Sequence, residues 1–271
     1  MKSILLLTFS LAGLQLFAQE KLVVDYDKLD DNVQAKATEI WKEIPVVTPG
    51  EAGSPPSDAI VLFDGSSYAE WQATKLDEGF VTANGMKTLD MDVSDDVSWE
   101  LDNGNMVVVK GAGYIRTKRV FGDVQLHLEW QSPVMDDASG QGYSNSGVFL
   151  MGLYEVQVLN SYENKTYANG QAGSIYKQHM PLTNASRPPG TWQTYDILFK
   201  APIFGADGQL LRPAEITVLH NGVLVQFGSV VQGPTRYVGS PRYTPHPSKM
   251  PLLLQDHDNP VRFRNIWVRE L

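Results

Sequence analysis

The sequence predicts an all-β fold, an antiparallel sandwich of jelly-roll type with a short helical arm at its N-terminus. Three observations predict it. From Ala59 onward, short β-type runs recur between turn residues: AIVLFDG, SWELDNGNMVVVKGAGYIRT, VQLHLEW, SGVFLMG, YEVQVLN, TYDILFK, AEITVLHNGVLVQFG, PLLLQDH and VRFRNIWVREL. Asn103-Gly104 and Asn221-Gly222 sit between such runs, where Asn-Gly favours the tight turn that matches strand twist. No long stretch of helical period interrupts them, and no fixed-period repeat is present, so α/β folds, propellers and solenoids are poor fits.

Taken in order, the chain opens with Met1 to Ala18, MKSILLLTFSLAGLQLFA. One early Lys, a short apolar core and Ala18 read as a cleaved secretory signal, which predicts a periplasmic or secreted bacterial protein with no membrane span in its mature form. The segment from Glu20 to Asp58 holds nine acids and four bases, and so supplies five of the nine net negative charges of the 271-residue chain. Asp31 is placed to cap a helix whose Val33, Ala37, Ile40, Trp41 and Ile44 fall at helical spacing, with Pro45 as its stop. VVTPGEAGSPPS, residues 46–57, then reads as an extended connector. The expected organisation is a signal over 1–18, an arm and linker over 19–58, and one β domain over 59–271.

Composition narrows the function. A chain 42% hydrophobic and 20% charged has ample material for a core. A net charge of -9, without a basic run, disfavours nucleic acid and anionic membrane as partners and favours a neutral or small ligand. The absence of cysteine removes disulfides, thiol catalysis and thiolate metal sites. There is no phosphate-cradling glycine loop, HExxH or nucleophile-elbow serine.

The richest stretch is Asn145 to Ser161, NSGVFLMGLYEVQVLNS, read as two strands broken at Gly152. Period-two alternation puts Glu155 and Gln157 on one side and Tyr154, Val156 and Val158 on the other. Either a solvated outer face or a polar site accounts for that pattern. VQLHLEW places His127 and Glu129 together in the same way, and PLLLQDH places Gln255 with His257. If these strands share a concave face with Glu155, the groove holds bases, acids and amides suited to sugar hydroxyls; the alternative for His127 and Glu129 is a surface ladder pair. Arg262, Arg264 and Asn265 follow near the C-terminus, and Arg116 follows the GAGYIR turn. The long segment from Gly170 to Gly190, with Tyr176, Lys177 and His179, is expected to act as a lid. Tyr162, Tyr167 and Tyr176 offer faces for sugar stacking. His127, Glu129, Glu155 and His257 include metal-ligating types, but no spacing calls for a metal, and none is assigned; no cofactor is named.

The ordered string IVLFDG, WELDNGNM, YIRT, FGDVQLHLEW, GYSNSGVFLMGLYEVQVLNSY, NGQAGSIYKQ, PPGTWQTYDILF, HNGVLVQ and LLLQDHDNPVRFRNIWVREL resembles the bacterial family of secreted domains called 3-keto-disaccharide hydrolase, formerly labelled only as glycosyl hydrolases. It runs from about Ala59 to Leu271. The resemblance implies a concanavalin A-like lectin/glucanase sandwich and a glycoside-cleaving enzyme with a carbohydrate substrate. The family's motif positions fall on Asn145, Ser146, Glu155, Gln157, Tyr176, Gln255, His257, Arg262 and Asn265. This chain departs from the family's usual HGNPV by carrying Asp258 at the glycine, in a turn that Asp tolerates. A 3-keto group acidifies the proton at C2, so a base can remove it and the glycosidic oxygen leaves C1 by elimination before water adds. On that scheme Glu155 or His257 is the base, and Arg262, Gln157 or a bound cation steadies the enolate. Asn145, Gln157, Tyr176, Gln255, His127 and Glu129 are the expected substrate contacts. The competing readings are a non-catalytic carbohydrate-binding module, and a partner-binding domain that would expose an apolar patch.

Overall fold

The computed structural model describes residues 30–51, 53–74, 93–94 and 96–271. The expected signal, residues 1–18, lies outside them. The chain divides into two compact units, with the boundary between Val46 and Val47.

In the first unit a helix spans Asp31–Ala37. Its cap is Asp30, one residue before the expected Asp31, and the Asp30 carboxylate accepts from the backbone N–H of Asn32 at 2.9 Å. The helix ends before Ile40, Trp41 and Ile44, which are exposed. No residue of the helix is buried, so nothing adds packing energy to extend it.

The second unit holds sixteen strands: β1 (Ile60–Phe63), β2 (Trp71–Thr74), β3 (Val93–Ser94), β4 (Glu100–Asp102), β5 (Asn105–Val107), β6 (Tyr114–Thr117), β7 (Val124–Gln131), β8 (Ser146–Leu150), β9 (Tyr154–Val158), β10 (Trp192–Lys200), β11 (Ile203–Phe204), β12 (Leu210–Arg212), β13 (Glu215–His220), β14 (Val223–Val230), β15 (Leu253–Leu254) and β16 (Arg262–Glu270). An eight-stranded sheet runs β14-β13-β10-β7-β16-β5-β4, with β1 added on β16. A six-stranded sheet runs β3-β2-β6-β15-β8-β9. The pairings are antiparallel, as in a jelly-roll sandwich. Both Asn-Gly hairpins form. Asn103 and Gly104 take φ of 48° and 77°, Asn221 and Gly222 take 52° and 78°, and positive φ at both central positions defines the turn expected there.

The core lies between the sheets. Leu126, Leu128 and Trp130 of β7, and Tyr195, Ile197 and Phe199 of β10, meet Val148 and Leu150 of β8, and Tyr154, Val156 and Val158 of β9. Each such aliphatic or aromatic side chain withdrawn from water contributes about 1.5–3 kcal/mol before entropy is counted. Polar contacts cross between the sheets as well: Trp71 Nε1 donates to the Leu62 carbonyl at 2.8 Å, and the Tyr195 hydroxyl to the backbone carbonyl of Gln157 at 2.7 Å. The Tyr195 bond ties the larger sheet to the strand that carries Glu155 and Gln157.

The expected connector over residues 46–57 becomes, from Val47, a strap on the outer face of the eight-stranded sheet. Thr48 and Ser57 close it, the Ser57 N–H donating to the Thr48 carbonyl and the Thr48 N–H to Ser57 Oγ. The Gly53 carbonyl accepts from Asn265 Nδ2 at 2.9 Å and from Trp267 Nε1 at 3.0 Å. Asp58 pairs with Arg269 at 2.6 Å, and these hydrogen bonds hold the Asp58 carboxyl below its usual range. Among the described residues, no helix is long and apolar enough to cross a membrane.

Candidate functional site

On β9, Tyr154, Val156 and Val158 point into the core, so Glu155 and Gln157 point out of the six-stranded sheet. The registers extend this outward face in two rows. One runs Glu155, Phe149, Leu253, Arg116, Gln72, and the other Gln157, Gly147, Gln255, Tyr114, Thr74.

Glu155 is only 4% exposed. Burial pushes its carboxyl from 4.5 up to about 8, with no cation opposing the shift. The carboxylate leans over Gly147: a Cβ built there would lie 2.5 Å from Glu155 Oε1 and 2.8 Å from Phe149 Cε2. The last residue of the Asn-Ser-Gly motif, Gly147, is therefore the floor beneath the acid. Around it stand two phenols, both raised by burial first and then by the Glu155 charge among other causes: Tyr114, pushed up to about 12, and Tyr176, pushed higher. Gln255 donates from Nε2 to the Tyr114 hydroxyl at 2.8 Å, while its buried Oε1 has no partner. Gln157 donates to Asn145 Oδ1 at 3.0 Å, and Asn145 donates to the Gln141 carbonyl at 2.8 Å. These two amides brace one another beneath the site.

The turn from β8 to β9 passes through Met151 and Gly152, both at positive φ, and confirms the break expected at Gly152. On the far edge of β9, the Gly170–Gly190 segment adds main-chain bonds. Gln157 N–H donates to the Ser174 carbonyl at 3.0 Å and Tyr176 N–H to the Glu155 carbonyl at 3.2 Å. Leu182 N–H then donates to the Val225 carbonyl at 2.9 Å in the other sheet. The segment is pinned to both sheets, in place of the lid expected from its length. Its role is to cover the edge of β9 and set Tyr176 beside Glu155.

The other expected site residues go elsewhere. His127 and Glu129 alternate with the core residues of β7 and face outward from the eight-stranded sheet. His127 Nδ1 lies 2.7 Å from Asp196 Oδ1, and its ring stacks on Trp267 at 5.0 Å. Glu129 accepts from Arg264 at 2.6 Å and from Asn265 at 2.9 Å. Arg262 pairs with Asp102 at 2.8 Å on the same outer face. The core separates these groups from Glu155, which corrects the expectation of one shared groove. His127, Asn265 and Trp267 form the bed of the strap, where a pocket of about 460 Å³ lies between Pro49, Gly53, His127, Asp196, Trp267 and Arg269. Asn265 holds φ of 46° inside β16, at a register shift, and this bend aims its amide at Gly53, Glu129 and His127 at once.

His257 is exposed, beyond the end of β15. Asp258 takes the left-handed conformation expected of that turn, at φ 63°. The four metal-ligating residues noted in the sequence therefore do not converge. Among the described residues, no group of three or more His, Cys, Asp or Glu is placed to hold a metal ion.

A family profile, the 3-keto-alpha-glucoside-1,2-lyase-like domain, matches residues 58–269. The chain belongs to that family. A solved structure from Parabacteroides distasonis ATCC 8503, provisionally named a glycosyl hydrolase, is 42% identical to this member of the 3-keto-alpha-glucoside-1,2-lyase-like family. The match covers 87% of this chain and 96% of that one, with a TM-score of 0.74. A second structure from the same organism, named in the same way, is 20% identical with a TM-score of 0.54, covers 79% of this chain and 94% of that one, and shows the fold alone. No curated protein matches the sequence. Family and relative together support a glycoside-related function.

Tyr114, Arg116, Gly147 and Phe149 belong to the outward face, and only Arg116 drew notice in the sequence. The signal was there: in Tyr114–Thr117, Tyr114 and Arg116 alternate with the core-facing Ile115 and Thr117. Burial holds the Arg116 guanidinium pKa below its usual value.

Proposed function

We propose that the protein is an exported glycoside-cleaving enzyme that acts on 3-keto-glycosides by elimination, with Glu155 as the base. The observation that carries this is the Glu155 carboxylate, buried over Gly147 without a paired cation and raised to about 8. A carboxylate stripped of water is a stronger base than one on a surface, and that is what removal of a proton beside a ketone requires. The proton moves from C2 to Glu155. The electron pair forms an enolate on the 3-keto oxygen, and its collapse expels the C1 oxygen, which takes up the proton that Glu155 holds and so regenerates the base. Water then adds to the enone. Paired carboxylates flanking C1 are not needed.

The face supplies the other roles. Arg116 stands in the row of Glu155, three strand spacings away, roughly 14 Å between Cα atoms. Shortened by the two side chains, that span suits one sugar ring, with Arg116 as the cation that steadies the enolate, in place of Arg262. Gln255 and Tyr114 offer hydroxyl partners. An unpaired buried acceptor such as Gln255 Oε1 costs about 1–3 kcal/mol, which a ligand donor would relieve.

The test is product analysis with 3-keto-trehalose and unoxidised trehalose, beside Glu155→Gln. Cleavage of the keto sugar alone, lost in the variant, with kcat/KM rising through about pH 8, is the expected result. A C2-deuterated substrate that shows neither an isotope effect nor deuterium washout under chemistry-limited turnover overturns the elimination scheme. Cleavage of neither sugar with saturable binding intact would make the protein a carbohydrate-binding module.

A further inference from the structure

Beside Glu155, three aromatic side chains and one cation from two separate loops are gathered into one cluster that the elimination chemistry does not use. Lys177 places its ammonium 4.6 Å from the ring centre of Tyr167 and 4.9 Å from that of Tyr237. The Tyr167 and Tyr176 hydroxyls are 2.7 Å apart. Two anchors join the cluster to β9. The Tyr176 N–H donates to the Glu155 carbonyl, and the Glu155 N–H donates to Thr235 Oγ1 at 3.0 Å, two residues before Tyr237. The Thr235 N–H is itself bonded to the Leu153 carbonyl at 2.8 Å.

The arrangement is built against local preference. Lys177 sits at φ 63°, a conformation that side chains with a Cβ rarely adopt, and this aims it between the two rings. Tyr237 is 74% exposed, a large aromatic surface in water next to a buried acid. A tyrosine face beside an ammonium fits the second ring of a disaccharide, whose C–H face stacks on the aromatic while its hydroxyl oxygens accept from Lys177.

We propose that Tyr167, Lys177 and Tyr237 form a subsite for the leaving-group sugar, so that the protein selects disaccharides over simple alkyl glycosides. This rests on the assignment of Glu155 to the cleavage site. The subsite grips the part of the substrate beyond the scissile oxygen, where binding energy is converted into rate by holding C2 against the base.

The test compares 3-keto-trehalose with methyl 3-keto-α-glucoside, which lacks the second ring, in wild type, Tyr237→Ala and Lys177→Met. The ratio of kcat/KM between the two substrates should fall about tenfold in either variant, the scale of one lost stacking or ionic contact. A ratio that stays within about twofold in both overturns the subsite. If the wild type turns over neither keto substrate, the cleavage reading fails by itself, and calorimetry with unoxidised trehalose judges the subsite separately. A dissociation constant weakened about tenfold by Tyr237→Ala supports it, and equal binding by the variant, or none by the wild type, overturns it.

Discussion

Replacing Glu155 by Gln should stabilise the fold, and should do so more as the pH rises. A carboxyl whose folded pKa lies above its unfolded value binds its proton more tightly when folded. Its contribution to stability is therefore complete below the unfolded value, falls as pH climbs from 4.5, and is gone above about 8. That interval corresponds to on the order of 5 kcal/mol in full. Gln keeps the shape and carries no charge, so the variant lacks this slope. Urea unfolding at a series of pH values, with each variant compared with wild type at the same pH, isolates the term because every other carboxyl titrates in both proteins. The advantage of Glu155→Gln should grow by on the order of 4 kcal/mol between pH 5 and pH 9. A difference that stays flat with pH would refute the buried, unpaired state of this acid and, with it, the basis for its basicity.

Gly147→Ala puts a Cβ 2.5 Å from Glu155 Oε1, so the carboxylate must swing aside, and turnover of a 3-keto-glycoside should drop at least about tenfold while near-UV circular dichroism stays native. Asn265→Ala removes the bonds to Gly53 and Glu129 and leaves a left-handed backbone without its stabilising amide; about 2–3 kcal/mol should be lost in denaturant unfolding, and kcat per folded molecule should hold. Arg262→Met breaks only the half-exposed pair with Asp102, so stability should move by less than about 1 kcal/mol and turnover should not change, against a large loss if Arg262 touched the substrate.

The sequence made the strands and hairpins legible because period-two alternation and Asn-Gly turns are local properties. Both Asn-Gly sites form as expected, and Glu155 and Gln157 do share one side of β9. What alternation cannot carry is which sheet a strand joins. β7 and β9 show the same polar-and-apolar rhythm, yet they lie in opposite sheets, so the outward faces they define point away from each other. Gln255 and Arg262 are seven residues apart in the chain, but the turn between them crosses from the six-stranded to the eight-stranded sheet. The same crossing carried the FRNI residues away from Gln255, which stands close to them in the sequence. Helical spacing misled over Ile40 to Ile44 for a related reason: a helix needs something to pack on, and spacing does not show whether it is there.

The Asn265 clamp changes how relatives of this protein should be sorted. That motif fastens the strap, so with Glu155 proposed as the base, a sequence that keeps it declares a folded sandwich and says nothing about turnover. A homologue with the FRNI element intact but without a Glu at the position of Glu155, or with a bulkier residue at the position of Gly147, should be a well-folded shell with no base in it. Such natural blanks would serve as ready-made binding-only controls.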